Sequence, residues 1–272
     1  TLKIIETQGF NALGHLGEPL LHLPATEENH ADEIAVVQRH LNNRGYANAE
    51  VEPAAYGNLR LRYHHAGTPL VSLVVIGDED AAALMSCVLT LIEKTAWLNY
   101  ELIMVVNDRQ NDETQRWLDS VVAVDPARIR VVKASGEWRY ATRVNLGAAV
   151  AQGEYLCLMH SGVAIVENDW LHNLLNHGER PEVGIVGGKQ VYADGTIRHA
   201  GYVLGVNGVA GEAFYGMNDV NKGHMHRLHA DQNYSAVSGD FMLVRRDVFI
   251  NVNGMDETLH HHSDVDFCLR VR

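Results

Sequence analysis

Three short polar turns hold the residue types best suited to binding a ligand or moving a proton. They are Gly77-Asp78-Glu79-Asp80, the stretch from Asn107 through Asp108 to Asp112, and His160-Ser161-Gly162. Each directly follows an apolar run: PLVSLVVI ending at Ile76, YELIMVVN, and EYLCLMH. Carboxylates offer hard oxygen ligands to a divalent cation, whereas a histidine nitrogen suits Mn²⁺ and is a poor choice for Mg²⁺. Other polar candidates come later in the chain: His199 in RHAG, Asp240 after Gly239, and Asp264 in SDVDFCLR. His260-His261-His262 is the densest histidine cluster. Three adjacent side chains point in different directions, so it reads either as a polar loop or, if they converge, as a metal site.

Those turns need a scaffold. PLVSLVVIG is a continuous β-branched run, the pattern of a strand buried on both faces. Then come DAAALMSCVLTLIEKT (helix), YELIMVVN (strand), NDETQRWLDSVVA (helix), IRVVKA (strand), RYATRVNLGAAVAQ (helix) and EYLCLMH (strand). Strands joined by single helices through short connections predict an α/β fold, a mostly parallel sheet covered by helices on both faces. Ligands of such sheets sit at the carboxyl ends of the strands, where the three polar turns fall. Beyond Trp170 the pattern is less regular.

Residues 1–66 read as a small α/β preface and 67–272 as the main domain, with His64 to Pro69 as the linker. ATEENHADEIAVVQRHLNNRGY has helix signals: Thr26 as N-cap, acidic residues in the first turn, Ile34, Val37 and Leu41 at helical spacing, and Gly45 as the stop. NAEVEP and NLRLRYHH read as short strands.

Composition narrows the function. The net charge of −12 argues against a nucleic-acid partner, which would need clustered Lys and Arg. Cys87, Cys157 and Cys268 lie far apart in apolar runs, as expected of reduced core thiols. No apolar run is long enough to span a membrane, and TLKIIETQGF lacks the basic and apolar regions of a signal peptide. Neither G-x-G-x-x-G after the first strand nor G-x-x-x-x-G-K-[ST] occurs, so the dinucleotide and P-loop readings lose their support.

From Pro69 to Arg272 the chain resembles the family 2 glycosyltransferases of the GT-A fold, most closely the bacterial branch that builds O-antigen, rhamnan and other surface polysaccharides. The resemblance is carried by PLVSLVVI, YELIMVVND, NLGAAVAQGEYL, ADGTIRHAGYVLG, GDFMLVRRDVFINVNGMDE and SDVDFCLRVR, in that order. The preface resembles segments that precede this domain in large multidomain glycosyltransferases. Those enzymes continue past DVDFCLRVR, so the chain is expected to stop short of the natural end and to work beside other domains of a larger synthase.

The resemblance implies inverting transfer of a sugar from a nucleotide diphosphate sugar to a hydroxyl of a glycan or lipid-linked glycan, in the cytoplasm or at the inner face of the membrane. It implies a divalent cation, Mn²⁺ or Mg²⁺, on the diphosphate. It places the donor among Ile76, Gly77, Asp78, Asp80, Asn107, Asp108, Asp112, Arg143, Asn145, His160, Ser161 and Gly162. It places the acceptor near His199, Gly239 and Asp240. Asp264 falls where the family has its catalytic base; alternatively it caps the helix formed by VDFCLRVR. Asp266 is read as structural. Gly187 and Gly188 read as positions of close backbone approach. Trp138, Tyr140 and Trp170, and likewise Phe214 and Tyr215, can either contact sugars or pack within the domain.

The departures from the family fall on the donor side. A Pro-Thr-x-Asn or Pro-Thr-x-Asp turn is replaced by Gly77-Asp78-Glu79-Asp80, and a strand-ending Asp by Asn107. The Asp-x-Asp turn is His160-Ser161-Gly162, which puts a glycine where a metal-holding carboxylate is expected. Three readings stay open. His160 holds the metal; cations such as Arg139 or Arg143 neutralise the diphosphate without one; or Asp78, Asp80 or Asp108 bind the ion from another side. A catalytically silent scaffold or sugar-binding module is the alternative to an active transferase. A nucleotidyltransferase lacks the Gly-rich activation loop.

Overall fold

Apolar spacing and a complementary charge pattern set the first elements. The structure, a computed structural model, describes residues 2–9, 30–78 and 80–272. Helix α1 is Leu2–Gln8 and helix α2 is His30–Asn43. In α2, Asp32 and Glu33 lie in the first turn and His40 in the last, matching the helix dipole. The Thr26 cap expected from the sequence lies outside the described residues. Strands β1 (Glu50–Pro53) and β2 (Leu59–Arg62) form an antiparallel hairpin. Leu41, Ala49 and Tyr63 are the buried centre of this unit. The unit comprises the described residues through His65 together with Lys222–Gln232. Asn58 Nδ2 donates to the carbonyls of His226 and His229 at 3.3 and 3.2 Å, holding that returning segment.

The second unit, Ala66–Asn221 and Asn233–Arg272, holds the sheet. Its elements are β3 (Val71–Ile76), α3 (Ala81–Lys94), β4 (Tyr100–Asn107), α4 (Asp112–Val124), β5 (Ile129–Ala134), α5 (Tyr140–Val150) and β6 (Tyr155–His160). Then follow α6 (Trp170–Gly178), β7 (Ile185–Gly187), β8 (Gln190–Val191), β9 (Ile197–His199), β10 (Tyr202–Leu204), β11 (Ala210–Glu212), β12 (Phe241–Arg245), α7 (Arg246–Asn251) and α8 (Ser263–Val271). The main sheet has the order β5-β4-β3-β6-β12-β7. β5, β4, β3 and β6 run parallel, whereas β12 is antiparallel to both β6 and β7. Because β12 runs backwards, its first residues lie beside the last residues of β6, with Phe241 opposite Met159.

The continuous apolar runs of β3, β4 and β6 are explained by burial on both faces. Leu73, Val75, Met104 and Met159 pack with α3, α4 and α6; Val74, Ile76, Val105 and Leu158 pack with α5, α7 and α8. Each such side chain contributes on the order of 1.5–3 kcal/mol when fully buried. Gly147 lets α5 lie directly on the sheet, since a Cβ there would come 2.4 Å from Val74 Cγ1. The three cysteines are buried free thiols, and burial pushes the Cys87 thiol up to about 12.

At the amino ends of the strands sits a buried polar knot. Glu101 Oε1 accepts from Ser72 Oγ at 2.6 Å and from the Gln152 amide at 2.6 Å, while Oε2 pairs with Arg130.

Candidate active site

The first turn is built by close backbone approach. Gly77 is buried and donates its amide to the Val105 carbonyl at 2.8 Å; a Cβ there would sit 3.1 Å from Val106 Cγ1. The Ile76 carbonyl accepts from the Ser161 amide at 2.9 Å, and the Asp78 amide donates to Ser161 Oγ at 3.2 Å. These bonds lock the turn after β3 to the turn after β6. Asp80 caps α3, its carboxylate accepting the Ala83 amide at 3.1 Å. Glu79 lies outside the described residues.

At the end of β4, Asn107 Oδ1 accepts a hydrogen bond from Arg143 Nη2. Arg143, from α5, is 1% exposed. Its Nε and Nη1 have no partner among the described residues, and its guanidinium lies 5.7 Å from the Trp138 ring centroid. Burial pushes its pKa down, and the more distant charges of Asp78 and Asp108 partly restore it. An arginine nevertheless stays charged, so this is a fixed buried cation. Asp108 donates its amide to the Ala134 carbonyl at 2.9 Å, and Asp112 opens α4 behind the Asn111 cap. Asn145 is committed elsewhere: Nδ2 donates to the Met255 carbonyl and to Glu257 Oε1, and Oδ1 accepts the Met255 amide. Arg139 pairs with Glu137 and donates to the Glu257 carbonyl.

The central turn uses its own polar groups. Ser161 is buried, with its hydroxyl taken by Asp78. His160 Nδ1 accepts the Gly162 amide at 3.1 Å. With Nδ1 accepting, the ring hydrogen is on Nε2. The His160 amide donates to the Asp240 carbonyl at 3.0 Å, which joins the central turn to the segment entering β12.

That segment holds Asp264. The Gly239 amide donates to Asp264 Oδ2 at 2.9 Å, and the Val265 amide to Oδ1 at 2.9 Å. Gly239 is squeezed between Tyr140 and Asp264, where a Cβ would lie 2.9 Å from Tyr140 Cε1 and 3.1 Å from Asp264 Cβ. Tyr140 Oη donates to the Gly239 carbonyl. Burial raises the pKa of Asp264; the two amide hydrogen bonds oppose the rise, and the nearby charge of Asp240 adds to it. A half-buried carboxylate with a raised pKa is a stronger proton acceptor than a solvated one. The alternative that Asp264 caps this helix does not hold: α8 begins at Ser263 with His262 as its N-cap, and Asp264 lies inside the first turn.

Around Asp264 lies a charged group. Asp240 Oδ2 pairs with Arg198 Nη2, and Arg198 Nη1 donates to Gln190 Oε1 at 2.6 Å. Burial, together with Asp240 and Asp264, raises the pKa of Glu212, against the pull of Arg198. His199 is buried: Nε2 accepts the Ser238 amide at 3.0 Å, and Nδ1 lies 3.6 Å from Glu212 Oε1. Burial first, then Arg198, depresses its pKa to about 4. It is therefore a neutral ring that holds the Ser238–Asp240 segment.

The structure thus brings Ile76, Gly77, Asp78, Ser161, His160, Asp240, Gly239 and Asp264 into one hydrogen-bonded chain. Asp80 and Asn145 are tied into a helix cap and a loop brace. Trp170 packs in the core, donating to Thr95 Oγ1 at 3.2 Å. His260, His261 and His262 are exposed. Arg198 and Glu212 escaped sequence reasoning. Arg198 adjoins His199 in ADGTIRHAG, and the alternation of β9 puts the two on opposite faces, a signal available but not used.

Residues 73–252 match the family model described as glycosyl transferase family 2. The chain belongs to this family. The family 2 chain is 30% identical over 283 residues to the O-antigen biosynthesis protein RfbC of Myxococcus xanthus, across 97% of its own length and 22% of that protein. It is 35% identical over 208 residues to the protein y4gI of Sinorhizobium fredii, across 76% of its own length and 23% of that protein. It therefore spans less than a quarter of these curated relatives. Two solved structures share its fold. The mannosyltransferase PcManGT from Pyrobaculum calidifontis, in complex with GDP-Man and Mn²⁺, matches with TM-score 0.54 and 12% identity, over 89% of this chain and 62% of that one. GalNAc-T7, with UDP, GalNAc and Mn²⁺, matches with TM-score 0.59 and 14% identity, over 76% and 41%. The fold is GT-A.

The central turn of this family 2 chain does not suit a divalent cation. Gly162 has no ligand atom, Ser161 Oγ is buried and engaged, and Nδ1 of His160 is occupied. Among the described residues, no three His, Cys, Asp or Glu side chains form a group that could hold a metal ion. Mg²⁺ and Mn²⁺ are bound mainly through carboxylate oxygens, which this turn lacks.

Proposed function

We propose that this chain is the sugar-transferring domain of a larger bacterial polysaccharide synthase. It takes a sugar from a nucleotide diphosphate sugar and joins it, with inversion, to a hydroxyl of a growing surface glycan on the cytoplasmic side. Membership in family 2 and the likeness to RfbC support the reaction class and the setting. The observation that carries the mechanism is Asp264: half-buried, raised in pKa, and oriented by the Gly239 amide. Its carboxylate takes the proton from the acceptor hydroxyl as that oxygen forms the new bond to the anomeric carbon. The old bond breaks on the opposite face, and its electron pair leaves with the nucleoside diphosphate. On this reading Arg198, paired with Asp240, faces the acceptor. His199 holds the Ser238 amide and through it the turn that orients the base.

Asp264→Asn tests this reading. General base catalysis typically contributes about 10²–10⁴ in rate. Transfer should fall by that order, while nucleotide affinity and the melting temperature stay near those of the wild type. The glycine at the third position of the central turn favours a second reading, a silent domain that only binds or positions. Wild-type protein that binds nucleotide but turns over no donor with any acceptor in a glycan panel would support it.

A further inference from the structure

We propose that the His160 Nε2–H group donates a hydrogen bond to the diphosphate of the donor, so that this domain binds its nucleotide without a divalent cation. The inference rests on the donor reading above and adds how the charge is met.

Its first support is the tautomer. A backbone amide can only donate, so the Gly162 amide makes Nδ1 of His160 the acceptor and leaves the ring hydrogen on Nε2. A metal needs a lone pair, and in this tautomer neither ring nitrogen offers a free one. Nε2 has no protein partner among the described residues, and the residue is only partly buried. His160 ends β6, at the carboxyl ends of the parallel strands, where ligands of such sheets lie. Its backbone is fixed by the Asp240 carbonyl, which removes one source of freedom from the donor group.

Its second support is independent. Arg143 of α5 is a fixed, buried cation bonded to Asn107 at the end of β4, a strand separated from β6 only by β3. Two of its nitrogens have no partner among the described residues, and no carboxylate among them forms a direct ion pair with it. Asp78 and Asp108 act on it only from a distance, and a buried cation with no direct ion pair is costly and is offset when an anion arrives nearby. A nucleoside diphosphate supplies that charge. The Nε2–H donor of His160 and the positive charge of Arg143 together answer the anion, with no cation-binding set among the described residues.

The test is equilibrium titration of the protein with UDP, GDP and dTDP, in Mn²⁺ and in EDTA, for wild type, His160→Ala and His160→Gln. Glutamine carries an N–H near the position of Nε2; alanine carries none. For the nucleotide that binds, wild-type affinity should agree within about twofold between Mn²⁺ and EDTA. His160→Ala should weaken it about tenfold, and His160→Gln should recover most of the loss, as expected for a hydrogen bond to a charged group. Melting curves of each variant separate loss of binding from loss of folding. Mn²⁺ strengthening wild-type binding tenfold or more would overturn the inference, as would His160→Ala binding as well as wild type. If no nucleotide binds wild type in either condition, the donor reading fails and this inference falls with it. If nucleotide binds tightly in both conditions and only the alanine effect is missing, the donor reading stands and the role of His160 does not.

Discussion

The two ends of the same sheet treat buried charge in opposite ways. At the amino ends, Glu101 is buried, but each of its oxygens is taken: by Ser72, by the Gln152 amide and by Arg130. At the carboxyl ends, Arg143 is equally buried yet has one hydrogen bond, to the neutral Asn107, and no direct counter-ion among the described residues. The first arrangement is complete within the protein. The second leaves two guanidinium nitrogens without a partner among the described residues. The lesson is that burial alone does not separate structure from function; the state of the buried group's partners does.

That contrast can be broken by experiment. The largest effect is expected at Glu101. Removing one member of a buried, hydrogen-bonded pair typically costs about 3–5 kcal/mol. Glu101→Ala should therefore lower the unfolding free energy by that order in a denaturant titration, with nucleotide affinity of the folded fraction unchanged. A change in affinity would show that the two ends are not independent.

The next effect is a pH dependence at the carboxyl ends. His199 is held at about 4, against an ordinary 6.5, because burial disfavours its charged form. The unfolded chain binds the proton more readily over that interval. Stability from this group is therefore full above about pH 6.5 and is lost as pH falls towards 4, by at most about 3 kcal/mol. Denaturant midpoints measured from pH 7.5 to 4 should fall over this window, and the fall should be shallower in His199→Gln. Equal slopes would assign the acid sensitivity to other groups.

The smallest effect is the most informative in sign. Arg143→Met removes a guanidinium with two unpartnered nitrogens from a site that an apolar chain of similar length can fill. Stability should rise by about 1–2 kcal/mol while nucleotide binding weakens. If the variant is instead destabilised as Glu101→Ala is, Arg143 belongs to the scaffold and the contrast between the ends disappears.

How far the sequence could be read follows from where each contact is made. YELIMVVN coincides with β4, because burial on both faces imposes a local pattern, whereas IRVVKA, the edge strand β5, is only partly buried and is legible from its β-branched residues. The polar turns after β3, β4 and β6 were visible for the same reason: each follows a strand that announces itself. Asp264 is singled out only by the resemblance carried by SDVDFCLR, and its role stays a proposal. Glu212 and the pairing of Arg198 with Asp240 were not legible. They meet across loops separated by many residues, and no spacing rule encodes that. The reversal of β12 also escaped. In a parallel strand the site lies after the last residue, whereas in an antiparallel neighbour it lies before the first, so Ser238 to Asp240 precede their strand.

The link between the central turn and Asp264 is made of peptide groups. The His160 amide meets the Asp240 carbonyl, and the Gly239 amide meets Asp264. Backbone groups are indifferent to which side chains the turn displays. A chain built this way can exchange the side chains of residues 160 to 162 without loosening the hold on Asp264. On the proposed reading, the turn is free to acquire a different means of holding the donor while the Asp264 end keeps its geometry.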